Sequence, residues 1–209
     1  MSRTRIKICG LTRVEDTRLA CDLGADAIGL NFYPGSKRFL STERALPIRA
    51  AMPAFVSAVG LFVNAGRGEV EAVLEALHLD CLQFHGDESP EFCRSFSMPY
   101  MKVIRVREGL DIKAEISKYS DSSAILLDSF DKNAFGGTGL RFDWEVARRC
   151  VQDGDAKIVL AGGLMADNVA TAIEQVRPYA VDVSSGVESA PGVKCAQRLT
   201  AFFDEVNRV

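Results

Sequence analysis

The sequence contains few of the side chains that hold metal ions. It has two histidines, His78 and His85, and its six cysteines form no Cys-x-x-Cys pair and no cluster with histidine. Structural zinc sites are built from closely spaced cysteines and histidines, so we expect no metal site in this protein. We interpret the cysteines as reduced and the protein as cytoplasmic.

Long apolar segments and strongly basic segments are also missing. The amino terminus, MSRTRIKICG, has no apolar core followed by a small-residue cleavage site, and no segment approaches the ~18 to 20 apolar residues of a membrane span. The sequence has 25 Lys and Arg residues and 28 Asp and Glu residues, which gives a formal net charge of −3, and the Lys and Arg residues form no basic run. We therefore expect neither a membrane nor a nucleic acid as a partner, and an anionic ligand would be held by a few placed groups.

The chain instead has the composition of a globular protein with a substantial core. Of its 209 residues 47% are hydrophobic, and no linker rich in Pro, Gly or Ser divides them. Folding at this length buries roughly 70% of the unfolded surface, which supports a core without disulfide bonds. We expect a single catalytic domain over residues 1–209.

Eight short apolar runs alternate with segments of helical periodicity, which is the pattern of βα units on a parallel sheet. The predicted strands are Arg5–Cys9, Asp26–Asn31, Phe55–Val63, Cys81–His85, Met101–Val106, Ala124–Asp128, Lys157–Ala161 and Ala180–Ser184. The predicted helices are Arg13–Leu23, Thr42–Met52, Gly68–Leu77, Pro90–Phe96, Leu110–Tyr119, Phe142–Val151, Ala166–Val176 and Val193–Val206. Eight units leave about 26 residues each, which fits a closed barrel better than an open doubly wound sheet of about five or six strands. The sequence therefore predicts an α/β protein with a closed (β/α)8 TIM-barrel fold.

Nearly every predicted strand ends in a polar residue or a glycine. Catalytic groups of such barrels lie at the carboxyl ends of the strands, so these residues are the candidates for a site. They are Cys9-Gly10, Asn31, Asn64, His85-Gly86, Arg105, Asp128-Ser129, Gly162-Gly163 and Ser184-Ser185-Gly186. Asn31 and Asn64 fit equally well as ordinary turn residues.

Two loops of small residues follow the last two predicted strands. Gly162-Gly163 precedes a helix, and Ser184-Ser185-Gly186 leads through Pro191-Gly192 into the last helix. Backbone N–H groups and helix N-termini can approach an anion closely at such loops, so we predict a phosphate site between them. Plain tight turns are the alternative interpretation.

Side-chain alternation predicts which residues of the first strand point into the barrel. It places Lys7 and Cys9 on the inner face. A buried ammonium needs a carboxylate partner, and Asp182 on the adjoining eighth strand is the candidate. The positive charge of Lys7 would also favour the thiolate of Cys9.

The same alternation predicts that Asp128 faces inward at the end of the sixth strand. Burial there would favour its protonated form, which suits a general acid. A cap for the following loop is the alternative role.

The strand-end motifs together resemble the phosphoribosylanthranilate isomerase family. They are Lys7-Ile-Cys-Gly-Leu-Thr, Gln83-Phe-His-Gly, Leu127-Asp-Ser, Gly136-Gly-Thr-Gly with Phe142-Asp-Trp, Leu160-Ala-Gly-Gly-Leu and Val181-Asp-Val-Ser-Ser-Gly-Val-Glu. The resemblance covers essentially the whole chain, and its first and last motifs are the most specific.

The resemblance implies an isomerase of tryptophan biosynthesis that needs no cofactor. Its reaction would be the Amadori rearrangement of N-(5′-phosphoribosyl)anthranilate to 1-(2-carboxyphenylamino)-1-deoxyribulose 5-phosphate. Cys9 would be the general base and Asp128 the general acid. The other implied substrate-binding residues are Lys7, Arg38 (for the anthranilate carboxylate), His85, and Gly162, Gly163, Ser184, Ser185 and Gly186 (for the phosphate). The partner would be this small phosphosugar, bound by a monomer or a homodimer.

Some positions depart from the family pattern, and some interpretations stay open. Met165 and Cys195 replace a common Asn and a common Asp near the phosphate loops, so that contact could rest on backbone amides alone. His85 is either a site-lining residue or a buried, hydrogen-bonded histidine. The alternative functions are another phosphosugar isomerase or epimerase barrel, and a catalytically silent phosphosugar-binding protein.

Overall fold

The structure is a computed structural model that describes residues 3–129 and 143–209. Eight parallel strands form a closed barrel. The strands are β1 (Arg5–Cys9), β2 (Ala27–Asn31), β3 (Ser57–Phe62), β4 (Cys81–Phe84), β5 (Tyr100–Val106), β6 (Ala124–Ser129), β7 (Ile158–Leu160) and β8 (Ala180–Val183). Each strand pairs with the next in chain order, and β8 closes the barrel by pairing with β1. The predicted fold class and all eight predicted strands are therefore confirmed, with shifts of one or two residues at the strand ends.

Eight α-helices alternate with these strands in the described part of the chain. They are α1 (Val14–Asp22), α2 (Thr42–Ala50), α3 (Arg67–Ala76), α4 (Pro90–Arg94), α5 (Ile112–Lys118), α6 (Trp144–Asp153), α7 (Val169–Val176) and α8 (Ala196–Asn207). Phe142, the predicted start of α6, and the Gly136-Gly-Thr-Gly motif lie outside the described residues. Over residues 3–129 and 143–209, none of the helices combines the length and apolarity that crossing a bilayer requires.

The prediction was wrong about the start of the last helix. Val193 and Lys194 form a short strand, β10, which pairs antiparallel with β9 (Glu188–Ala190). A 3-10 turn at Ser185–Val187 connects β8 to this hairpin. A strand of two residues is too short to show a periodicity, so the sequence does not distinguish β10 from the first turn of α8.

Alternation of side chains divides the hydrophobic core into two parts. Residues facing outward, such as Ile6 and Ile8, are buried under the surrounding helices. Small and branched residues, such as Val59 and Leu126, fill the lower interior of the barrel. Above this apolar layer the interior is polar, which leaves a group of buried charged side chains at the carboxyl ends of the strands.

Candidate active site

One cleft at the carboxyl ends of the strands brings together almost all of the predicted site residues. Those that line it are Cys9, Arg38, His85, Asp128, Gly162, Gly163, Ser184, Ser185 and Gly186. Lys7 is the exception, because its side chain lies below the cleft floor and contacts Asp182, which does line the cleft. Residues from β1, β4, β6, β7 and β8 therefore converge on one site, as a barrel of this type arranges them.

Lys7 and Asp182 form the predicted ion pair in the barrel interior. Lys7 Nζ donates to Asp182 Oδ1 at 2.8 Å, and both side chains are at least nine-tenths buried. The two residues are register partners between β1 and β8, so barrel closure places them side by side. Burial alone would lower the pKa of Lys7, but the charge of Asp182 and then that of Cys9 outweigh it and raise that pKa.

Cys9 ends β1 and faces the cleft from just above this pair. Burial raises the pKa of its thiol, and the positive charge of Lys7 lowers it by a smaller amount. The expectation that Lys7 favours the thiolate is correct in direction, but desolvation outweighs it. A thiol whose pKa is raised in this way is protonated at neutral pH.

Asp128 and His85 lie next to each other in the cleft. The backbone N–H of Ser129 donates to Asp128 Oδ1 at 2.8 Å, and His85 Nε2 lies 3.4 Å from Asp128 Oδ2. Nδ1 of His85 is 3.4 Å from Nε2 of Gln83. His85 is thus both buried and site-lining, so the two interpretations from the sequence are compatible.

Gln83 is a site residue that sequence reasoning did not select. It lines the cleft, and its Oε1, like Nε2 of His85, has no hydrogen-bond partner in the described part of the chain. Buried polar atoms are usually paired, so these two atoms stand out among the groups around the cleft. The motif Gln83-Phe-His-Gly carried the signal, because residues 83 and 85 point to the same face of a strand.

The two small-residue loops pack against each other. A side-chain carbon on Gly186 would lie 1.9 Å from the carbonyl oxygen of Leu164, so only glycine allows the loop after β8 to touch the loop after β7. Asn168 braces the latter loop, because its Nδ2 donates to the carbonyl of Gly163 at 2.9 Å and its Oδ1 accepts from the N–H of Met165 at 3.0 Å. Asn168 is a side-chain support in the loop where Met165 replaces the common Asn.

Arg38 is already engaged by a carboxylate that was not singled out from the sequence. Its Nε and one terminal nitrogen donate to the two oxygens of Glu188 at 2.8 and 2.6 Å. Burial would raise the pKa of Glu188, but the hydrogen bonds and charges of Arg38 and Lys194 outweigh it and lower that pKa. A side-chain carbon on Gly10 would lie 2.4 Å from Cδ of Arg38, so the glycine after Cys9 lets the arginine cross over the strand end.

Of the other strand-end candidates, Asn31 lines the cleft, whereas Asn64 and Arg105 lie outside it. The side chain of Asn31 organises the following loop by accepting from the N–H of Tyr33 at 2.9 Å. Asn64 is a turn residue with a positive φ of 49°, and it accepts from the N–H of Asp87. Arg105 lies in a different groove and pairs with Asp87 at 3.0 Å.

The site offers acid and base groups rather than a metal centre. Over residues 3–129 and 143–209, no three His, Cys, Asp or Glu side chains are grouped so that they could hold a metal ion. The cleft presents a thiol, a carboxyl group, an imidazole, a guanidinium and two glycine- and serine-rich loops. These groups suit proton transfer on a bound anion.

The sequence matches a known family over nearly its full length. The family model for N-(5′-phosphoribosyl)anthranilate (PRA) isomerase matches residues 6–205. The N-(5′-phosphoribosyl)anthranilate isomerase of Azotobacter vinelandii is 52% identical over 206 residues, which is 99% of this chain and 98% of that protein. The enzyme of the same name from Stutzerimonas stutzeri is 51% identical over the full length of both chains.

Solved structures show the same similarity. The crystal structure of phosphoribosyl anthranilate isomerase from Thermotoga maritima superimposes with a TM-score of 0.90 at 38% identity, covering 99% of this chain and 100% of that one. A second structure is a phosphoribosyl anthranilate isomerase in complex with reduced 1-(o-carboxyphenylamino)-1-deoxyribulose 5-phosphate. It has a TM-score of 0.86 at 37% identity, with coverage of 99% and 100%.

Proposed function

The chain belongs to the N-(5′-phosphoribosyl)anthranilate isomerase family, and from that premise we propose which of its residues carry the reaction. The protein is an isomerase of tryptophan biosynthesis, and it converts N-(5′-phosphoribosyl)anthranilate to 1-(2-carboxyphenylamino)-1-deoxyribulose 5-phosphate. The observation that carries the assignment of residues is the meeting of Cys9, Asp128, Arg38 and the two small-residue loops in one cleft.

Asp128 is the general acid of the first step. Its carboxyl group gives a proton to the furanose ring oxygen, the C1′–O bond breaks, and the ring opens to a Schiff base between C1′ and the anthranilate nitrogen. The N–H of Ser129 fixes one carboxyl oxygen at 2.8 Å, which leaves the other oxygen toward His85 and the cleft. His85 contacts the substrate beside the acid and keeps the carboxyl group oriented.

Cys9 is the general base of the second step. Its thiolate removes the proton from C2′. The electron pair of that C–H bond forms the C1′=C2′ bond while the π pair of the C1′=N bond moves onto the protonated anthranilate nitrogen, which gives an enolamine that tautomerises to the ketone. The protonated thiol and the deprotonated Asp128 return to their starting forms by proton exchange, so the reaction has no net redox change. Lys7 acts from below, because its positive charge counters the cost of forming the thiolate in a buried position.

The substrate is bound at its two anionic ends. Arg38 meets the anthranilate carboxylate, and the loops at Gly162-Gly163 and Ser184-Ser185-Gly186 bind the phosphate through backbone N–H groups. Binding at both ends holds C1′ and C2′ between Asp128 and Cys9, and this positioning of the reacting atoms contributes to the rate.

The remaining assignments are proposals as well. The protein works in the cytoplasm, without a cofactor, as a monomer or a homodimer. Light scattering at the protein concentration of the assay decides between a mass of 22.8 kDa and twice that mass.

Turnover of the substrate tests the function. Freshly prepared N-(5′-phosphoribosyl)anthranilate is mixed with the purified protein, and the loss of anthranilate fluorescence is followed against buffer and heat-denatured protein. We expect a loss that is proportional to protein concentration. Fluorescence that falls no faster than in buffer would contradict the proposed function.

A further inference from the structure

Lys194 is a buried charged residue beside the cleft, and the reaction described above does not use it. Its ammonium group makes three contacts, to the carbonyl oxygen of Cys9 at 2.7 Å, the carbonyl oxygen of Ser184 at 3.1 Å and Oε1 of Glu188 at 2.8 Å. No part of the Lys194 side chain is exposed to solvent. All three donor positions of the ammonium are therefore occupied by oxygen atoms.

These three partners belong to three different parts of the site. Cys9 is the base at the end of β1, and Ser184 begins the phosphate loop after β8. Glu188 holds the guanidinium of Arg38 through two hydrogen bonds. One ammonium group thus connects the base, the phosphate loop and the residue that binds the carboxylate.

A second buried lysine provides a comparison within the same barrel. Lys102 Nζ donates to Oε2 of Glu88 at 2.7 Å and to the carbonyl oxygen of Gly86 at 2.7 Å, and both side chains are as buried as those of Lys194 and Glu188 to within a few per cent. Neither Lys102 nor Glu88 lines the cleft. The two pairs join the same residue types at similar burial, but only Glu188 also binds an arginine, and only the Lys194 pair contacts residues that line the cleft.

We propose that Lys194 is a positioning residue for the isomerase reaction, which ties the strand end of Cys9, the phosphate loop at Ser184 and, through Glu188, the guanidinium of Arg38 into one rigid unit. This inference rests on the proposed roles of Cys9, Arg38 and the phosphate loops. Lys194 touches neither the substrate nor the reacting atoms. Its effect reaches the reaction through the three groups it holds.

Lys194 also contributes to the charge around the Cys9 thiol. The charged groups that face this thiol are Lys7 on its own strand, Asp182 on β8, Lys194 on β10 and Arg38 on the loop after β2. Lys7, Lys194 and Arg38 favour the thiolate, and Asp182 opposes it. Removal of the Lys194 ammonium therefore raises the pKa of Cys9 further, whereas Lys102 is absent from this set.

The test compares Lys194→Met with Lys102→Met, since methionine keeps the length of the side chain and removes the charge. Three quantities are measured for each variant: thermal stability, kcat and KM by fluorescence, and the pH midpoint of Cys9 alkylation by iodoacetamide, read on the Cys9 peptide by mass spectrometry. Both variants should lose stability, because each removes the lysine that pairs with a buried carboxylate; Glu188 keeps its pair with Arg38, so Lys194→Met should be the less destabilised of the two. The milder variants Lys194→Gln and Lys102→Gln, which keep a hydrogen-bond donor and remove the charge, are measured in parallel, so that a folded comparison exists even if the methionine variants unfold.

Lys194→Met and Lys102→Met should differ in kcat/KM and in the pH midpoint of Cys9 alkylation. We expect Lys194→Met to lower kcat/KM by about 10²-fold, the loss that a misplacement of about 1 Å can cause. It should also move the alkylation midpoint of Cys9 to higher pH, whereas Lys102→Met should leave both quantities near wild type. Equal kcat/KM and equal midpoints in the two folded variants would overturn the proposal. The alkylation readout needs no turnover, so an inactive wild-type protein would contradict the proposed function and still leave the role of Lys194 measurable.

Discussion

The barrel buries a lysine and a glutamate on two opposite sides, and the two sides differ in what surrounds that pair. At β8 and β1, Lys194 and Glu188 adjoin a second pair, Lys7 with Asp182, and the thiol of Cys9. At β4 and β5, Lys102 and Glu88 fix the turn after β4, where Glu88 also accepts from the N–H of Gly86. A buried ion pair therefore does not by itself mark a functional site. The two sides differ in the carbonyl oxygens that each lysine also contacts, which are those of Cys9 and Ser184 for Lys194 and that of Gly86 for Lys102.

The largest effect is expected at Asp128, the proposed general acid, which lies on β6 and belongs to neither buried pair. Asp128→Asn keeps the shape of the side chain and loses the transferable proton, so kcat should fall by ~10² to 10⁴. The Ser129 N–H can still donate to the remaining carbonyl oxygen, and the fold should be unchanged. Stopped-flow fluorescence gives kcat across the pH range, and a pH profile identical in shape to that of wild type would mean that another residue is the acid.

The next largest effect is expected at the Lys7–Asp182 pair on the β8–β1 side of the barrel. Lys7→Met leaves Asp182 buried without a partner, which should cost ~3 to 5 kcal/mol of unfolding free energy. The folded-state pKa of Lys7 is raised above its usual 10.5, so this contribution is fully present below about pH 10.5 and is lost only as the pH rises above it. Chemical denaturation at pH 7 therefore measures the full effect.

Lys7→Met and Lys102→Met should differ at the thiol. Loss of Lys7 removes a charge that lowers the pKa of Cys9, so the alkylation midpoint and the rising limb of the activity profile should move to higher pH. Lys102→Met should be destabilised by a similar amount and leave both at their wild-type positions. An unchanged Cys9 midpoint in a folded Lys7→Met variant would show that Lys7 has a purely structural task.

The smallest effect concerns ligand binding at Arg38; Arg105, on the other side of the barrel, is the control and its alanine variant should bind the ligand as wild type does. Arg38→Ala should weaken binding of the reduced product analogue by ~1.5 to 3 kcal/mol, the usual contribution of a hydrogen bond to a charged group. Arg105→Ala is the matched control, because Arg105 also pairs with an acidic side chain but lies in the groove near β5. Calorimetric titration measures both, and equal affinities for wild type and Arg38→Ala would remove Arg38 from the carboxylate site.

The sequence predicts the β8–β1 side well where regular alternation operates. The inward direction of Lys7, Cys9 and Asp182 follows from the two-residue period of a strand, and barrel closure then brings β1 next to β8. The resulting ion pair is confirmed at 2.8 Å. The rule that sites lie at the carboxyl ends of barrel strands likewise predicts that Asp128 and both small-residue loops line the cleft, as they do.

Features in hairpins and turns could not be predicted in this way, because these segments have no regular side-chain periodicity. Glu188 and Lys194 lie in a short hairpin after β8, and Lys194 reaches Cys9 across 185 positions of sequence. Asn31 is the last residue of β2 and Asn64 follows β3, yet only Asn31 lines the cleft, because the positive φ of Asn64 turns its chain toward Asp87. The pKa of Cys9 is also a property of the folded protein, since burial and four charged neighbours set it together.

The most direct test of the account is the turnover of Cys9→Ala beside that of Cys81→Ala. Both cysteines lie on barrel strands, but Cys81 is at the start of β4 and does not line the cleft. If Cys9 removes the C2′ proton, Cys9→Ala should lose ~10² to 10⁴ in kcat while it retains its fold and its affinity for the product analogue, and Cys81→Ala should turn over like wild type. A purified Cys9→Ala variant with wild-type kcat would contradict the assignment of the base to the β8–β1 side.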